Sequence, residues 1–332
     1  MPTYGFQAWP IKSTSIAGFE ECLFHYRAYE LNIDSCIELP GLVEGVPGQG
    51  VADVAVSVAD VIPELTDATL RDSWWQVSSD SFRLDIQDVA VYQVEQGRRI
   101  LIQSHPSADP AEVRLFLLGS AMGALLYQRG IFPLHGSAVE TPLGAMVFVG
   151  PSGIGKSTLA AHFNRLGYRH IADDVCAITH DARGRLQVLP AFPHLRLKTD
   201  AADRLYGETA MSPPSRLDVD KLVFPLGAAH ASAPVPLADI HMLKDEDGGD
   251  PCLTPLRGFE SIQCLADNLY RPHFLQGMQT RGEVLRLASV IAQSAKIFLL
   301  TRQRDAAHLD RLVRWLEHGW EGRPRPVERS EP

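Results

Sequence analysis

Apolar and polar positions alternate along three short stretches of the first hundred residues, a pattern typical of half-buried β-strands. These stretches are 82–86, 89–94 and 99–103. No catalytic motif accompanies them, and we interpret Trp74 and Trp75 as core or domain-interface packing in preference to a binding patch. The pattern predicts a small N-terminal α+β domain over residues 1–106, whose role the sequence leaves open.

The pattern changes after residue 106. Residues 111–128 are apolar at nearly every position, which predicts a helix buried inside a second domain. Further periodic runs predict strands at 131–140, 145–149, 168–172, 237–243 and 296–300, a hairpin of 175–179 with 185–189, and helices at 156–166, 257–269, 281–293 and 305–318. Alternation of strands and helices predicts an α/β domain over 107–320. The polar residues 321–332 are expected to form a disordered tail.

A glycine-rich loop lies between the predicted strand 145–149 and the predicted helix 156–166. Its residues are Gly150, Pro151, Ser152, Gly153, Ile154, Gly155, Lys156, Ser157 and Thr158. They fit the pattern G-x-x-x-x-G-K-[ST], in which glycines let consecutive backbone N–H groups point at a phosphate at the start of a helix. Lys156 is expected to reach the β- and γ-phosphates and the Ser157 hydroxyl to bind Mg²⁺. The loop therefore predicts ATP and Mg²⁺ as ligands.

Composition narrows the choice of partners. The formal net charge of −9 argues against nucleic acid as the main partner, because binding of a phosphate backbone needs basic surface. The most apolar stretch, 113–126, is short and flanked by charged residues, so we expect no membrane span. Five scattered cysteines without metal-binding spacing suggest reduced thiols in a cytoplasmic protein.

Two adjacent carboxylates, Asp173 and Asp174, follow the predicted strand 168–172. In a parallel α/β sheet the carboxyl ends of neighbouring strands share one edge, so we expect this pair beside the γ-phosphate. Like-charge repulsion and partial burial should raise the pKa of one carboxyl toward the range of a general base, while the other orients Mg²⁺. His135 is expected at the same edge, touching phosphate or a carboxylate. The alternatives are a solvated acidic turn and a core histidine.

Together, His135-Gly136, the glycine-rich loop and Ala172-Asp173-Asp174 resemble the catalytic domain of HPr kinase/phosphorylase. The intervals also match, with 21 residues from His135 to Lys156 and 18 from Lys156 to Asp174. The resemblance covers about residues 110 to 200 well. The later part matches only in outline, and the chain as a whole looks more like the HPr kinase-related proteins, including the kinases that modify ribosomal peptide precursors.

This resemblance implies a P-loop kinase domain of the HPr kinase and PEP carboxykinase-like type. It assigns active-site roles to His135 and Lys156, the role of proton acceptor to Asp174, Mg²⁺ binding to Ser157, and support of the metal or the base to Asp173. Where the family has a further metal-binding glutamate, this chain has Thr199 followed by Asp200, so Asp200 is the candidate ligand. The resemblance also suggests a homo-oligomer.

Four activities remain open from the sequence. We favour an ATP-dependent kinase that phosphorylates a serine on a peptide or small protein. A small-molecule kinase on the same core is the first alternative. A transport- or motor-type ATPase is less favoured, because we identify no Leu-Ser-Gly-Gly signature and no late apolar strand ending in Asp-Glu. The retention of Lys156, Ser157 and Asp174 argues against a non-catalytic regulator. Arg271 and Lys221 are candidate substrate or phosphate contacts, with surface charges as the alternative.

Overall fold

A computed structural model describes residues 24–47, 51–206, 221–304 and 306–319. The first nine strands are β1 (Phe24–Ala28), β2 (Leu31–Ser35), β3 (Val43–Glu44), β4 (Val54–Val58), β5 (Leu70–Arg71), β6 (Trp75–Val77), β7 (Ser81–Ile86), β8 (Ala90–Glu95) and β9 (Arg99–Ser104). They form one sheet in the order β3-β1-β2-β4-β9-β8-β7-β6-β5. Neighbouring strands are antiparallel except in the pairs β2–β4 and β4–β9.

The three strands predicted near the end of this region are confirmed as β7, β8 and β9. Between residues 24 and 109, the described part of the chain contains strands and no helix. The helices expected of an α+β domain are therefore not found there. The indole rings of Trp74 and Trp75 both pack edge-on against Phe274, with centroid distances of 6.2 and 6.0 Å. Both tryptophans thus contact the later part of the chain through packing.

The apolar segment after this sheet folds as one helical rod with an irregular centre. It comprises α1 (Pro110–Phe116), a π-helical turn (Leu117–Ala121) and α2 (Met122–Gln128). The Asp109 carboxylate caps α1 by accepting the Ala111 N–H. The rod packs between the two large sheets, which share its hydrophobic core. The rod packs against the second large sheet, as the prediction of burial in the second domain requires, and its apolar faces also cover the first sheet.

The second large sheet contains seven strands in the order β11-β10-β12-β13-β16-β18-β17. Their bounds are β10 (Phe132–Thr141), β11 (Gly144–Val149), β12 (His170–His180), β13 (Leu186–Leu189), β16 (Val235–Asp245), β17 (Cys252–Pro255) and β18 (Lys296–Arg302). A separate hairpin consists of β14 (His194–Lys198) and β15 (Lys221–Pro225). Strand β16 also pairs with β11, in parallel.

Strand β11 is buried at all six positions. Ala145, Val147 and Val149 belong to the core shared with the first sheet. Met146 and Phe148 face a second core, on the side where the helix after the loop packs. A strand covered on both faces needs a continuous apolar run, which explains why its sequence shows no alternation.

The described residues contain five further α-helices, α3 (Lys156–Arg165), α4 (Thr199–Tyr206), α5 (Phe259–Asp267), α6 (Arg281–Ser294) and α7 (Ala306–His318), and two short 3-10 helices at Gly227–Ala229 and Pro272–Leu275. The predicted helices 156–166, 257–269, 281–293 and 305–318 are confirmed to within about two residues at each end. The hairpin β14–β15 and helix α4 were not predicted. The predicted tail 321–332 lies outside the described residues.

Candidate active site

The glycine-rich loop connects β11 to α3, as the sequence predicts. Gly150, Gly153 and Gly155 have φ angles of 137°, 80° and 101°. Residues with a Cβ rarely adopt such angles, so each of the three positions requires glycine. Gly155 is the residue that precedes the first turn of α3. The loop therefore curls back over the start of the helix, where backbone N–H groups have no partner within the helix.

Lys156 opens α3 and turns inward. Its Nζ donates hydrogen bonds to the carbonyl oxygens of Gly150 and Pro151, at 2.8 and 3.1 Å. Burial lowers the pKa of this ammonium, and the charges of Asp173 and Asp174 oppose that shift. The positive charge therefore lies inside the curl of the loop and within range of both carboxylates.

Three donors hold the Asp173 carboxylate. Oδ1 accepts hydrogen bonds from the hydroxyls of Ser157, at 2.8 Å, and Ser137, at 2.5 Å. Oδ2 accepts the backbone N–H of Arg196 at 3.0 Å. The Ser157 hydroxyl and the Asp173 oxygens are ligands of the kind Mg²⁺ prefers, and Mg²⁺ is commonly completed by waters and substrate phosphates. Among the described residues, no group of three His, Cys, Asp or Glu side chains forms a metal cluster of its own.

Asp174 lies inside strand β12, whereas the sequence predicted that the strand ends before Asp173. Its φ of 70° is left-handed, which aspartate tolerates better than most residues. Side chains of successive strand residues normally point to opposite faces. Here both Asp173 and Asp174 line one cleft, and the left-handed residue accounts for this break in alternation. The His135 Nδ1 lies 3.2 Å from Asp174 Oδ1.

The expectation of a raised carboxyl pKa is wrong for Asp174. Burial alone would raise its pKa, but the hydrogen bond with His135 and the charges of His135, Arg196 and Lys221 outweigh burial. Together they lower the pKa to about 2. Asp174 is therefore ionised at neutral pH, in the form that can accept a proton.

Strand β10 brings His135 to this carboxylate. The sheet is antiparallel here: β10 runs between β11 and β12, opposite to both. The prediction that these residues meet at the carboxyl edge of a parallel sheet is therefore wrong in its geometry. It nevertheless placed His135 correctly near the two aspartates. Gly136 pairs with Asp174 on one side and Val149 on the other, and a Cβ on Gly136 would lie 2.6 Å from the Phe148 carbonyl oxygen. Ser137, two residues after His135 on β10, was missed, although period two placed it on the face of His135.

Two clefts meet at these residues. The first, of about 480 Å³, runs along the glycine-rich loop, Asp173 and the start of α4. The second, of about 520 Å³, lies between Pro151 and the segment 267–271. His135, Ser152 and Asp174 line both clefts. Asp174 is therefore accessible from two sides, one of which carries the loop.

The segment 268–270 forms the far wall of the second cleft. Strand β11 ends at Val149, which pairs with Gly136 of β10. The residues of β10 that precede Gly136 therefore bond to this segment instead of β11. The His135 N–H donates to the Asn268 carbonyl oxygen at 2.8 Å. Tyr270 N–H in turn donates to the Pro133 carbonyl at 3.0 Å. Arg271 follows with a left-handed φ of 47°, and its Nε is buried without a hydrogen-bond partner. Tyr270 was missed, since nothing in its local sequence marks it.

The other candidates are placed differently. Lys221 lines the first cleft, and its charge helps to lower the pKa of Asp174. Asp200 also lines that cleft, but its carboxylate pairs with Arg204 at 2.8 Å and is not bonded to Ser157. Strand β16 ends in Asp245 followed by Glu246, so the statement that no late strand ends in Asp-Glu is wrong. The Asp245 carboxylate pairs with Arg302 at 3.5 Å, however, and not with the loop serine.

No protein-family model matches this chain, and no curated protein shows significant sequence similarity to it. Among solved structures, the chain is similar to the Hpr(Ser) kinase/phosphatase from Coxiella burnetii, with 12% identity and a TM-score of 0.30. The similarity covers 57% of this chain and 99% of that one. In the described part of the chain, every helix is too short or too polar to span a membrane. The similarity is distant, and the function must be argued from the site itself.

Proposed function

We propose that this protein is an ATP-dependent kinase that transfers the γ-phosphate to a serine hydroxyl of a peptide or small protein. One observation carries the proposal: the loop lysine, the Ser157–Asp173 pair and the His135–Asp174 pair line a single cleft. A cradle, a hydroxyl-carboxylate metal site and an ionised base are the groups that phosphoryl transfer to an alcohol requires.

The two clefts suggest how the substrates approach. ATP binds along the first cleft with its phosphates in the glycine-rich loop, where Lys156 neutralises their charge. The acceptor hydroxyl enters from the second cleft, past Arg271, and meets Asp174 from the opposite side. Asp174 accepts the hydroxyl proton, and His135 holds the carboxylate in place through Nδ1. An in-line displacement needs this arrangement, with acceptor and leaving group on opposite sides of the phosphorus.

Ser157 and Asp173 would hold Mg²⁺. When bound, Mg²⁺ neutralises the charge that develops on the phosphate oxygens. The Arg196 N–H and the Ser137 hydroxyl donate to the Asp173 carboxylate and fix it, so that its oxygens stay beside the Ser157 hydroxyl. Asp200 is not part of this proposal, because its carboxylate is paired with Arg204.

The test is transfer of labelled phosphate from ATP to the protein products of neighbouring genes. Asp174→Asn should lower transfer by a factor on the order of 10² or more with nearly unchanged nucleotide affinity, since general bases contribute that much. Asparagine tolerates left-handed φ, so the strand should keep its shape. Asp88 offers a matched control, because its φ of 60° is also left-handed and lies in the turn between β7 and β8. Asp88→Asn should transfer phosphate normally, and normal transfer by Asp174→Asn would remove the base from the mechanism.

Two other functions give different results in the same assay. A P-loop ATPase would hydrolyse ATP rapidly without any acceptor, whereas a kinase should do so slowly. A small-molecule kinase would show acceptor-dependent turnover with metabolite extracts and none with proteins. Labelled protein or peptide in the wild-type reaction, absent with Asp174→Asn, identifies the proposed activity.

A further inference from the structure

Two arginines, the last residue of β18 and the second residue after it, donate hydrogen bonds to backbone carbonyl oxygens of the glycine-rich loop. Arg302 donates from Nη2 to the Ile154 carbonyl oxygen at 2.5 Å. Arg304 donates from Nη2 to the Gly153 carbonyl oxygen at 2.6 Å. These residues lie about 150 positions after the loop, and no sequence motif marks them.

Bonds to these two carbonyls determine where the neighbouring N–H groups point. A trans peptide is planar, so the C=O of one residue and the N–H of the next point in opposite directions. With the Gly153 carbonyl directed at Arg304, the Ile154 N–H is directed away from it, and it donates to the Pro151 carbonyl at 3.2 Å. The same Pro151 oxygen accepts Lys156 Nζ, so this N–H points to the lysine side of the loop. By the same geometry, the bond from Arg302 directs the Gly155 N–H away from the arginine.

The side chain of Arg302 is buried and held in place, whereas that of Arg304 is largely exposed. Arg302 is 5% exposed, and its guanidinium reaches Asp245 at 3.5 Å, the residue opposite it in the β16–β18 pair. Arg304 leaves its side chain 60% exposed and reaches the other Asp245 oxygen at 3.7 Å. The Nη2 of Arg302 would also lie 3.0 Å from a Cβ on Gly155, so the arginine packs directly against the loop.

We propose that Arg302, fixed by Asp245, is a positioning residue for nucleotide binding: it holds the Ile154 peptide so that the loop presents its N–H groups to the phosphates. This inference rests on the proposed function, since it assumes that the loop binds a nucleotide. Arg302 also lines the first cleft, and the role proposed for it is exerted through the loop backbone. Arg304 contributes less, because an exposed arginine loses more side-chain entropy and is screened by water.

The direct test is the affinity of the purified chain for MgATP, measured by calorimetry. Arg302→Gln should weaken binding about tenfold, since a buried charged hydrogen bond is lost. Arg302→Lys should recover part of that loss, because one ammonium donor can still reach the carbonyl. Arg304→Gln is the matched control, with an expected change of about twofold to threefold. Equal affinity in a folded Arg302→Gln variant would overturn the proposal.

A second readout separates positioning of the loop from general stability. Without nucleotide, hydrogen exchange at the amides of 153–156 should be faster in Arg302→Gln than in wild type, while exchange in the first sheet stays unchanged. A double-mutant cycle with Asp245→Asn should be non-additive in MgATP affinity, because Asp245 acts through Arg302. Additive losses, or uniform acceleration of exchange across the chain, would contradict the proposed role.

The affinity and exchange measurements also distinguish a failure of this inference from a failure of the proposed function on which it rests. If wild-type protein fails to bind MgATP, the proposed function fails, while the exchange experiment still decides whether Arg302 orders the loop. If Arg302→Gln does not fold, the affinities of Arg302→Lys and Asp245→Asn decide the matter. Wild-type affinity in both of those variants would overturn the proposal.

Discussion

The two sides of the Asp174 carboxylate are built differently. On the loop side, nine consecutive residues supply the cradle, and Lys156 and Ser157 are engaged by hydrogen bonds within the site. On the other side, residues 268–271 reach the site through a backbone bridge to β10, and Arg271 Nε is buried without a hydrogen-bond partner.

This difference fits two kinds of ligand. A phosphate chain always presents the same oxygens, so a cradle of fixed N–H groups and one lysine suits it. An acceptor must be recognised by donors that the protein leaves available, and the Nε of Arg271 is such a donor, although its guanidinium also lies over the rings of Tyr270 and Phe274. The loop side should therefore respond to substitution through nucleotide affinity, and the 268–271 side through properties that leave nucleotide affinity unchanged.

The largest effect in this comparison is expected from Lys156→Ala. This substitution removes a buried ammonium from the curl of the loop, and charged hydrogen bonds of this kind contribute roughly 1.5–3 kcal/mol. MgATP affinity should fall about tenfold to a hundredfold, measured by calorimetry, and transfer should fall with it. Lys244→Ala, at an exposed position of β16, is the control and should bind normally. Full activity of Lys156→Ala would remove the loop from the mechanism.

The difference between the loop side and the 268–271 side also explains which parts of the site could be predicted from the sequence. The loop is contiguous, its glycines are required by backbone angles, and its flanking strand and helix follow from apolar patterning. His135, Asp173 and Asp174 could be associated with it because they come from the strand that precedes β11 and the strand that follows α3 in sequence. The structure brings all three into one cleft with Lys156.

The rest depends on contacts that no local pattern contains. Tyr270 and Arg302 reach the site from more than a hundred residues away, through strand pairing and side-chain hydrogen bonds. The pKa of Asp174 was predicted in the wrong direction because the hydrogen bond and charge of His135 were not weighed against burial, and because Arg196 and Lys221 lie on a hairpin that the sequence pattern did not reveal. Each strand of that hairpin is five residues long, and β14 runs directly into α4 with no turn residue to mark its end.

A smaller effect, confined to the 268–271 side, is expected from Gly123→Ala. A Cβ at this position of α2 would lie 2.7 Å from Tyr270 Cε1, and the buried ring has little room to move. Overpacking of this kind costs about 1–3 kcal/mol, so the free energy of unfolding in urea should fall by about that amount. MgATP affinity should stay at the wild-type value, because the contact lies on the other side of Asp174.

Gly119→Ala provides the comparison for that variant. Its Cβ would lie 3.1 Å from the Tyr270 hydroxyl, a milder contact at the tip of the same ring. The loss of unfolding free energy should therefore be smaller than for Gly123→Ala. A fall in MgATP affinity in the Gly123→Ala variant would show that the two sides are coupled, and would contradict the separation drawn between them.

The smallest effect is expected from a change of pH on the ionisation of Asp174, the carboxylate that lines both clefts. Because the folded pKa of Asp174 is about 2, below the value in the unfolded chain, its contribution to stability is complete above about pH 4 and is lost only as the pH falls toward 2. Asp174 should therefore stay ionised between pH 5 and 8. Carboxyl ¹³C NMR of aspartate-labelled protein, assigned with Asp174→Asn, should show its shift constant over that range. A titration of Asp174 near pH 6 would instead mean that burial, which raises its pKa, outweighs the lowering effect of His135, Arg196 and Lys221. Burial would then set the pKa of the proposed base.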